Sequence, residues 1–355
     1  MKFAFIIHPI VLEDITSRIK PLKLLPGFIA EGVARHLPVF KASEISGVRS
    51  PYGEAEGWFI ACPLTSRQML GLPIDYVTGR IIEAGKLAER LGAEVVGLGA
   101  MTSVVGDAGI TIAGNLNIAV TSGNSYTVFT ALEGARQAAE YMGISLDRAE
   151  VAVVGAAGSI GSVCARILAP QAGALTLVAR ERRHLERIAH QILNDTGVVP
   201  RLTTDIRDAL KGADVVVTVT SAVDTVIEPA DLKTGAVVCD VARPRDVSRQ
   251  VARMRPDVLV IEGGVVDVPG DVEFHYNFGF PPKTAYACMA ETMILALENR
   301  AENFSLGRDL TVNQVQEIGA LGRKHGFKLA GWRSFERALS TSDLEKVRAA
   351  ADKKR

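Results

Sequence analysis

Apolar positions along this chain fall into three regimes. The middle third holds short, near-continuous β-branched runs at Val151–Gly155, Leu175–Ala179, Asp214–Thr220, Ala236–Asp240 and Val258–Ile261, with a weaker one at Arg201–Thr204. Strands apolar on both faces belong to a parallel sheet covered by helices on both sides. Stretches with helical character separate them, at Arg183–Leu193 and Asp205–Lys211. The first third is a separate α/β pattern, with candidate strands Phe3–Ile7, Gly57–Ala61, Val95–Gly99 and Ile118–Thr121 and a strong helix at Thr78–Leu91. From Thr284 onward the pattern is helical, at Ala285–Glu302 and Val312–His325, and it ends in a charged tail. Three segments follow: an N-terminal α/β domain over 1–128, a doubly wound parallel-sheet domain over 129–272, and C-terminal helices over 273–355 that pack back on the first domain.

Composition narrows the class. A chain of 355 residues with 48% hydrophobic and 23% charged residues has material for two packed cores. A formal net charge of zero gives no global field to recruit nucleic acid or a membrane surface. The apolar opening Met1–Pro9 is short and lacks a small-residue cleavage site, so it reads as a buried strand. No uninterrupted apolar run approaches the roughly 18 residues of a membrane helix, so no membrane insertion is expected. Cys62, Cys164, Cys239 and Cys288 are scattered without a C-x-x-C pair. That predicts neither disulfides nor a metal site, and a cytoplasmic home.

The first candidate chemistry is the run Val151-Ala-Val-Val-Gly155-Ala-Ala-Gly158-Ser159-Ile160-Gly161, a strand leading through three glycines into a helix. Gly155 permits a tight turn, Gly158 lets backbone approach a pyrophosphate, and Gly161 lets the helix pack close to the strand. Ser159 and Ile160 belong to the helix start, where free N–H groups meet the anion. The next strand ends in Arg180-Glu-Arg182. Arginine at that strand end accommodates a 2′-phosphate where an NAD site holds the ribose with an acidic residue, so NADPH is the expected cofactor, with Glu181 dissenting. Thr220 and Ser221 end the fourth strand and would line the cofactor groove, and Gly263 ends the last strand beside the nicotinamide. The alternative is a plain glycine turn before a solvated basic helix start.

The second constellation is Pro281-Pro-Lys-Thr284-Ala-Tyr-Ala-Cys288-Met-Ala-Glu291-Thr. Thr284 as an N-cap places Cys288 in the second turn, near the positive helix end, with a modestly lowered pKa. A thiolate beside a reduced nicotinamide points to acyl capture followed by reduction to an aldehyde. The alternative is a small buried residue on an apolar helix face. His275 precedes Cys288 by one loop as a candidate to orient or deprotonate it, and Thr102 or the Gly123–Ser125 backbone are candidate holders of the thioester oxygen.

These motifs, together with Gly97-Leu-Gly-Ala-Met101-Thr-Ser-Val-Val-Gly106-Asp-Ala-Gly109 and Val120-Thr-Ser-Gly123-Asn-Ser-Tyr-Thr127, resemble the cyanobacterial-type long-chain fatty acyl–acyl carrier protein reductases from about Gly97 to Leu297. The resemblance implies a Rossmann-type nucleotide domain and reduction of long-chain acyl thioesters to fatty aldehydes by NADPH. It implies Cys288 as the acyl-accepting nucleophile and acyl carrier protein or CoenzymeA thioesters as substrates. An aldehyde-consuming enzyme is implied as a further partner. Arg323, Lys324, Lys328, Arg333 and Arg337 are the candidate docking cluster for an acidic carrier protein. Thr218–Ser221 and Cys239–Asp246 are similar to segments of glutamyl-tRNA reductases, and the domain order is similar to that of shikimate dehydrogenases. A shikimate-like dehydrogenase of a small hydroxy acid and a non-catalytic NADP(H)-binding protein remain the alternatives.

Overall fold

A computed structural model of the chain describes residues 1–9, 12–16, 24–222, 224–242, 244–277 and 279–354. They divide into two compact units. The first comprises Met1–Tyr126, Asp267–Asp309 and Ala320–Lys328, and the second Thr127–Val266, Leu310–Gly319 and Leu329–Arg355.

The first unit is built on a six-stranded mixed sheet. Its strands are β1 (Lys2–Ile7), β2 (Phe40–Ser50), β3 (Gly53–Ala61), β4 (Val95–Leu98), β5 (Ala119–Thr121) and the edge strand Gly270–Glu273, which pairs with β2. Across the sheet β2, β3, β1, β4 and β5 follow one another; β1 runs parallel to β3 and β4, and β2 antiparallel to β3. Side chains of β1 alternate between faces. Ala4 and Ile6 join the core beneath the helix Ile74–Arg90, which presents Val77, Ile81, Ala84 and Ala88 at helical spacing. The helix Ala287–Leu297 also packs against β1, β3 and β4. A side chain at Gly97 of β4 would collide with Thr292 and the Phe5 ring, so glycine there lets this helix lie close to the sheet.

The second unit carries the parallel sheet expected from the sequence. Its strands are β6 (Glu150–Val154), β7 (Ala174–Val178), β8 (Arg201–Thr203), β9 (Val215–Thr218), β10 (Val237–Asp240) and β11 (Leu259–Glu262). The order is β11-β10-β9-β6-β7-β8, with every pair parallel. Counted from β6 this is 3-2-1-4-5-6, the doubly wound dinucleotide-binding order, in which the chain reverses direction beside the first strand. Val153 pairs with Leu177 on one side and Val217 on the other, and all three are fully buried.

Two boundaries differ from expectation. The helix carrying Cys288 runs over Ala287–Leu297 rather than 285–302, and Thr284–Tyr286 is a short strand. Thr284 is therefore not the N-cap: its hydroxyl donates to the Pro281 carbonyl at 2.7 Å, and Tyr286 occupies the cap position.

Candidate nucleophile and nucleotide cradle

In the second unit the glycine run follows the geometry its spacing predicts. Gly155 has φ of +82°, and a side chain there would collide with the Val219 carbonyl. A side chain at Gly161 would strike the Gly155 carbonyl, so this glycine seats the helix Ser159–Leu168 against the turn. Gly158 caps that helix and is exposed, with no protein atom closer than 3.4 Å to where a side chain would stand. Ser159 opens the helix and Ile160 packs against the core. An exposed glycine ahead of a helix N-terminus fits the pyrophosphate of a dinucleotide.

Arg180 is exposed just past the end of β7, and Arg182 starts the next helix with its guanidinium 3.2 Å from Glu186. Thr220 is held rather than loose: its N–H donates to Asp246 Oδ2 at 2.9 Å and its hydroxyl to Oδ1, while Thr218 donates to the same buried carboxylate at 2.6 Å. Ser221 follows it, exposed. Gly263 donates its N–H to Asp240 at 2.9 Å, and Val241 fills the space beside its α-carbon, 3.0 Å from where a side chain would begin.

Within the first unit, Cys288 is the second residue of a helix that is otherwise buried, and it alone among the four cysteines is partly exposed. The N–H groups of Met289, Cys288 and Ala100 favour its thiolate and the Glu291 carboxylate opposes it, but burial outweighs all of these and pushes the thiol up to about 12. The lowering expected from the helix end is thus corrected. Cys288 sits in the first turn, closer to the positive end than expected, yet dense packing removes the water that would solvate a thiolate. Part of that packing is Gly123, at φ of +73°, where any side chain would run into Cα and Cβ of Cys288.

Glu291, one helical turn beyond Cys288, organises this wall. It is fully buried, accepts the Thr121 hydroxyl and the Tyr126 N–H (2.7 Å), and is also hydrogen-bonded to Ser305 and Gly123; burial nevertheless holds its pKa above the usual carboxylate value. The same network corrects the expected oxyanion donors. Gly123 N–H goes to Thr121 Oγ1 (3.3 Å), Asn124 N–H to Ser122 Oγ (3.4 Å) and Ser125 N–H to Ser305 Oγ (3.3 Å). Neither Glu291 nor Ala100 was singled out from sequence. A lone carboxylate one turn after the cysteine in an apolar helix was the available signal.

Other expected groups lie elsewhere. Thr102 is buried and donates its hydroxyl to the Gly99 carbonyl at 2.8 Å, closing its own turn. His275 is exposed, with φ of +47°. The basic residues expected to form one docking cluster are divided between the two units, Arg323, Lys324 and Lys328 in the first and Arg333 and Arg337 in the second. Arg333 is buried and donates to the Glu336 carbonyl, Arg337 pairs with Asp343 at 3.2 Å, and Lys324 pairs with Glu298.

Comparison with known proteins adds to this picture. Residues 136–261 match the family model for shikimate/quinate 5-dehydrogenase. The chain is 34% identical over 344 residues to the aminotransferase PigE of a Serratia species, covering 92% of this chain and 39% of that longer protein. It is 30% identical over 273 residues to the long-chain acyl-[acyl-carrier-protein] reductase of Synechococcus elongatus, covering 71% of this chain and 76% of that one. The chain belongs to the long-chain acyl-[acyl-carrier-protein] reductase family. A shorter match, 35% over 115 residues, is to the glutamyl-tRNA reductase of Natronomonas pharaonis, covering 32% of this chain and 24% of that protein. These relatives place the reductase-family chain among the NAD(P)-dependent oxidoreductases of the shikimate dehydrogenase-like superfamily. Among the described residues no helix is long and apolar enough to cross a membrane.

Proposed function

We propose that the chain reduces long-chain acyl thioesters, carried by acyl carrier protein or CoenzymeA, to fatty aldehydes with NADPH, through an acyl thioester on Cys288. The observation that carries this reading is the setting of Cys288: the one partly exposed cysteine of the four, at the start of a buried helix, with Gly123 packed against its backbone. Kinship with the Synechococcus reductase supports it.

In the first step Cys288 Sγ attacks the thioester carbonyl. The Cys288–acyl bond forms, the bond to the carrier sulfur breaks, and the proton lost from Cys288 goes to the departing carrier thiolate. Thioester exchanges for thioester, so the step is close to isoenergetic. The Met289 and Ala100 N–H groups favour negative charge as it develops at the sulfur. Gly155–Gly161, Arg180, Arg182, Thr220, Ser221 and Gly263 are the residues that would hold a reduced nicotinamide dinucleotide, which when bound would supply the hydride that converts this thioester to the aldehyde. Cys288 leaves as thiolate and takes a proton from water, restoring the thiol. Glu291 keeps Gly123 against Cys288 throughout.

The test is NADPH oxidation and aldehyde formation with a palmitoyl carrier-protein thioester and with palmitoyl-CoA, and NADP⁺ reduction with quinate. Turnover of a thioester that is lost in Cys288→Ala supports the proposal. Turnover of quinate alone, unaffected by Cys288→Ala, contradicts it.

A further inference from the structure

We propose that Asp246 is a positioning residue for the nicotinamide half of the cofactor, fixing the segment 219–221 at the end of β9 as one wall of the dinucleotide crevice. The proposal rests on the reading of the glycine turn at 155–161 as the pyrophosphate cradle. In the strand order β11-β10-β9-β6-β7-β8 the chain reverses between β6 and β9. A dinucleotide lies across the crevice beyond the carboxyl ends of the strands at such a reversal. The half that begins with the glycine turn takes the adenosine, and the half that begins with β9 takes the nicotinamide. The two segments flanking the reversal touch. A side chain at Gly155 would begin 2.4 Å from the Val219 carbonyl oxygen and 3.2 Å from the Thr220 nitrogen, and the Val219 N–H donates to the Val154 carbonyl at 3.0 Å.

Asp246 is fully buried, and its own backbone is anchored independently of this wall. The Val226 and Ile227 N–H groups donate to its carbonyl at 2.8 and 3.0 Å, and the next residue, Val247, donates its N–H to Asp240 Oδ2 at 3.0 Å. From that fixed point the carboxylate accepts the Thr218 hydroxyl at 2.6 Å and the Thr220 N–H at 2.9 Å on Oδ2, and the Thr220 hydroxyl on Oδ1. The Thr220 hydroxyl in turn accepts the Ala222 N–H at 3.1 Å. Thr220 thus turns its side chain inward, and what the wall offers a ligand is its backbone and the exposed Ser221. Hydrogen bonds to a charged acceptor are stronger than neutral ones, so the carboxylate holds the segment more firmly than an uncharged acceptor would. Asp246 acts through Thr220, without touching the cofactor.

Three variants separate this from a merely structural role. Asp246→Ala removes all three hydrogen bonds. Thr220→Val removes one hydroxyl bond on the wall itself, and Thr218→Val removes one to the same carboxylate from inside β9. Affinity for NADPH is read by fluorescence titration. Affinity for adenosine 2′,5′-bisphosphate, which carries only the adenosine half and its 2′-phosphate, is read by calorimetry, with melting temperatures recorded throughout. NADPH should bind about tenfold or more weakly to Asp246→Ala and about threefold or more weakly to Thr220→Val, while the bisphosphate stays within about twofold of wild type in both. Thr218→Val should bind both ligands as wild type does, although it loses a comparable hydrogen bond. Thr220→Val keeps the carboxylate, so it decides the matter if Asp246→Ala does not fold. A parallel loss of both ligands in Thr220→Val, unchanged NADPH affinity in either folded variant, or an equal loss in Thr218→Val overturns the proposal. Wild-type protein that binds neither ligand overturns the cofactor reading beneath it as well.

Discussion

Replacing Gly123 by alanine adds one methyl group where the structure has least room for it. The backbone there is left-handed, at φ of +73°, and the new carbon would overlap Cα and Cβ of Cys288 and crowd its carbonyl, 2.7 Å away. The conformational part costs about 1–2 kcal/mol. Overpacking against a rigid backbone costs roughly 1–3 kcal/mol more, giving a total loss of roughly 2–5 kcal/mol. Relief can come only by moving the Cys288 helix or the loop that Glu291 holds, and a displacement near 1 Å at a reacting group lowers a rate by on the order of 100-fold. Gly79→Ala is the internal control: it lies exposed within the helix Ile74–Arg90 with nothing within 4 Å, and should stabilise by roughly 0.5–1 kcal/mol. The assays are urea unfolding and the rate of Cys288 alkylation. Wild-type stability and wild-type alkylation in Gly123→Ala would refute the placement of this loop against the thiol.

Further outcomes follow from other parts of the chain. Arg180→Ala should weaken NADPH binding by about tenfold or more and leave NADH binding nearly unchanged, because a guanidinium pairs bidentately with a 2′-phosphate; equal losses in titrations with both cofactors would remove Arg180 from phosphate recognition. Glu291→Gln keeps the shape but places an NH₂ against donors that now lack an acceptor, so it should lower the melting temperature clearly more than an exposed Glu→Gln change such as Glu345→Gln. Burial pushes Cys62, Cys164 and Cys288 up to about 12 from 9.0. A thiol with its folded pKa raised contributes stability that is intact below pH 9 and is lost as pH climbs toward 12. Melting temperature should therefore fall steadily above pH 9, and a flat profile from pH 9 to 11 would contradict the burial of these thiols.

The second unit was legible because all of its strands except the edge strand β8 are mostly buried, so the apolar runs marked β6, β7, β9, β10 and β11 directly, and the glycine spacing located the first turn. The hairpin of β2 and β3 was half visible. In β2 only Ile45 and Val48 are buried, and these lie an odd number of residues apart because irregular pairing with β3 breaks the alternation on either side of Gly47, itself at φ of +74°. A strand with interrupted alternation and an exposed face leaves no periodic trace. The helix Asn124–Tyr141 was passed over, although Val128, Ala131, Leu132, Ala135, Ala138 and Ala139 have helical spacing, because its opening Asn-Ser-Tyr-Thr reads as a loop. Cys288 could be picked out from its motif. Its pKa could not, since the burial that raises it comes from segments such as the Gly123 loop, which reach it only through packing.

The central claim is that Cys288 accepts the acyl group. Incubating the protein with a palmitoyl thioester in the absence of NADPH and weighing the intact chain tests it most directly. The account predicts a mass gain equal to one palmitoyl group, mapped to the peptide carrying Cys288, discharged on adding NADPH, absent in Cys288→Ala and retained when Cys62, Cys164 or Cys239 is replaced. A mass gain that persists in Cys288→Ala, or aldehyde formation at wild-type rate without Cys288, would contradict it.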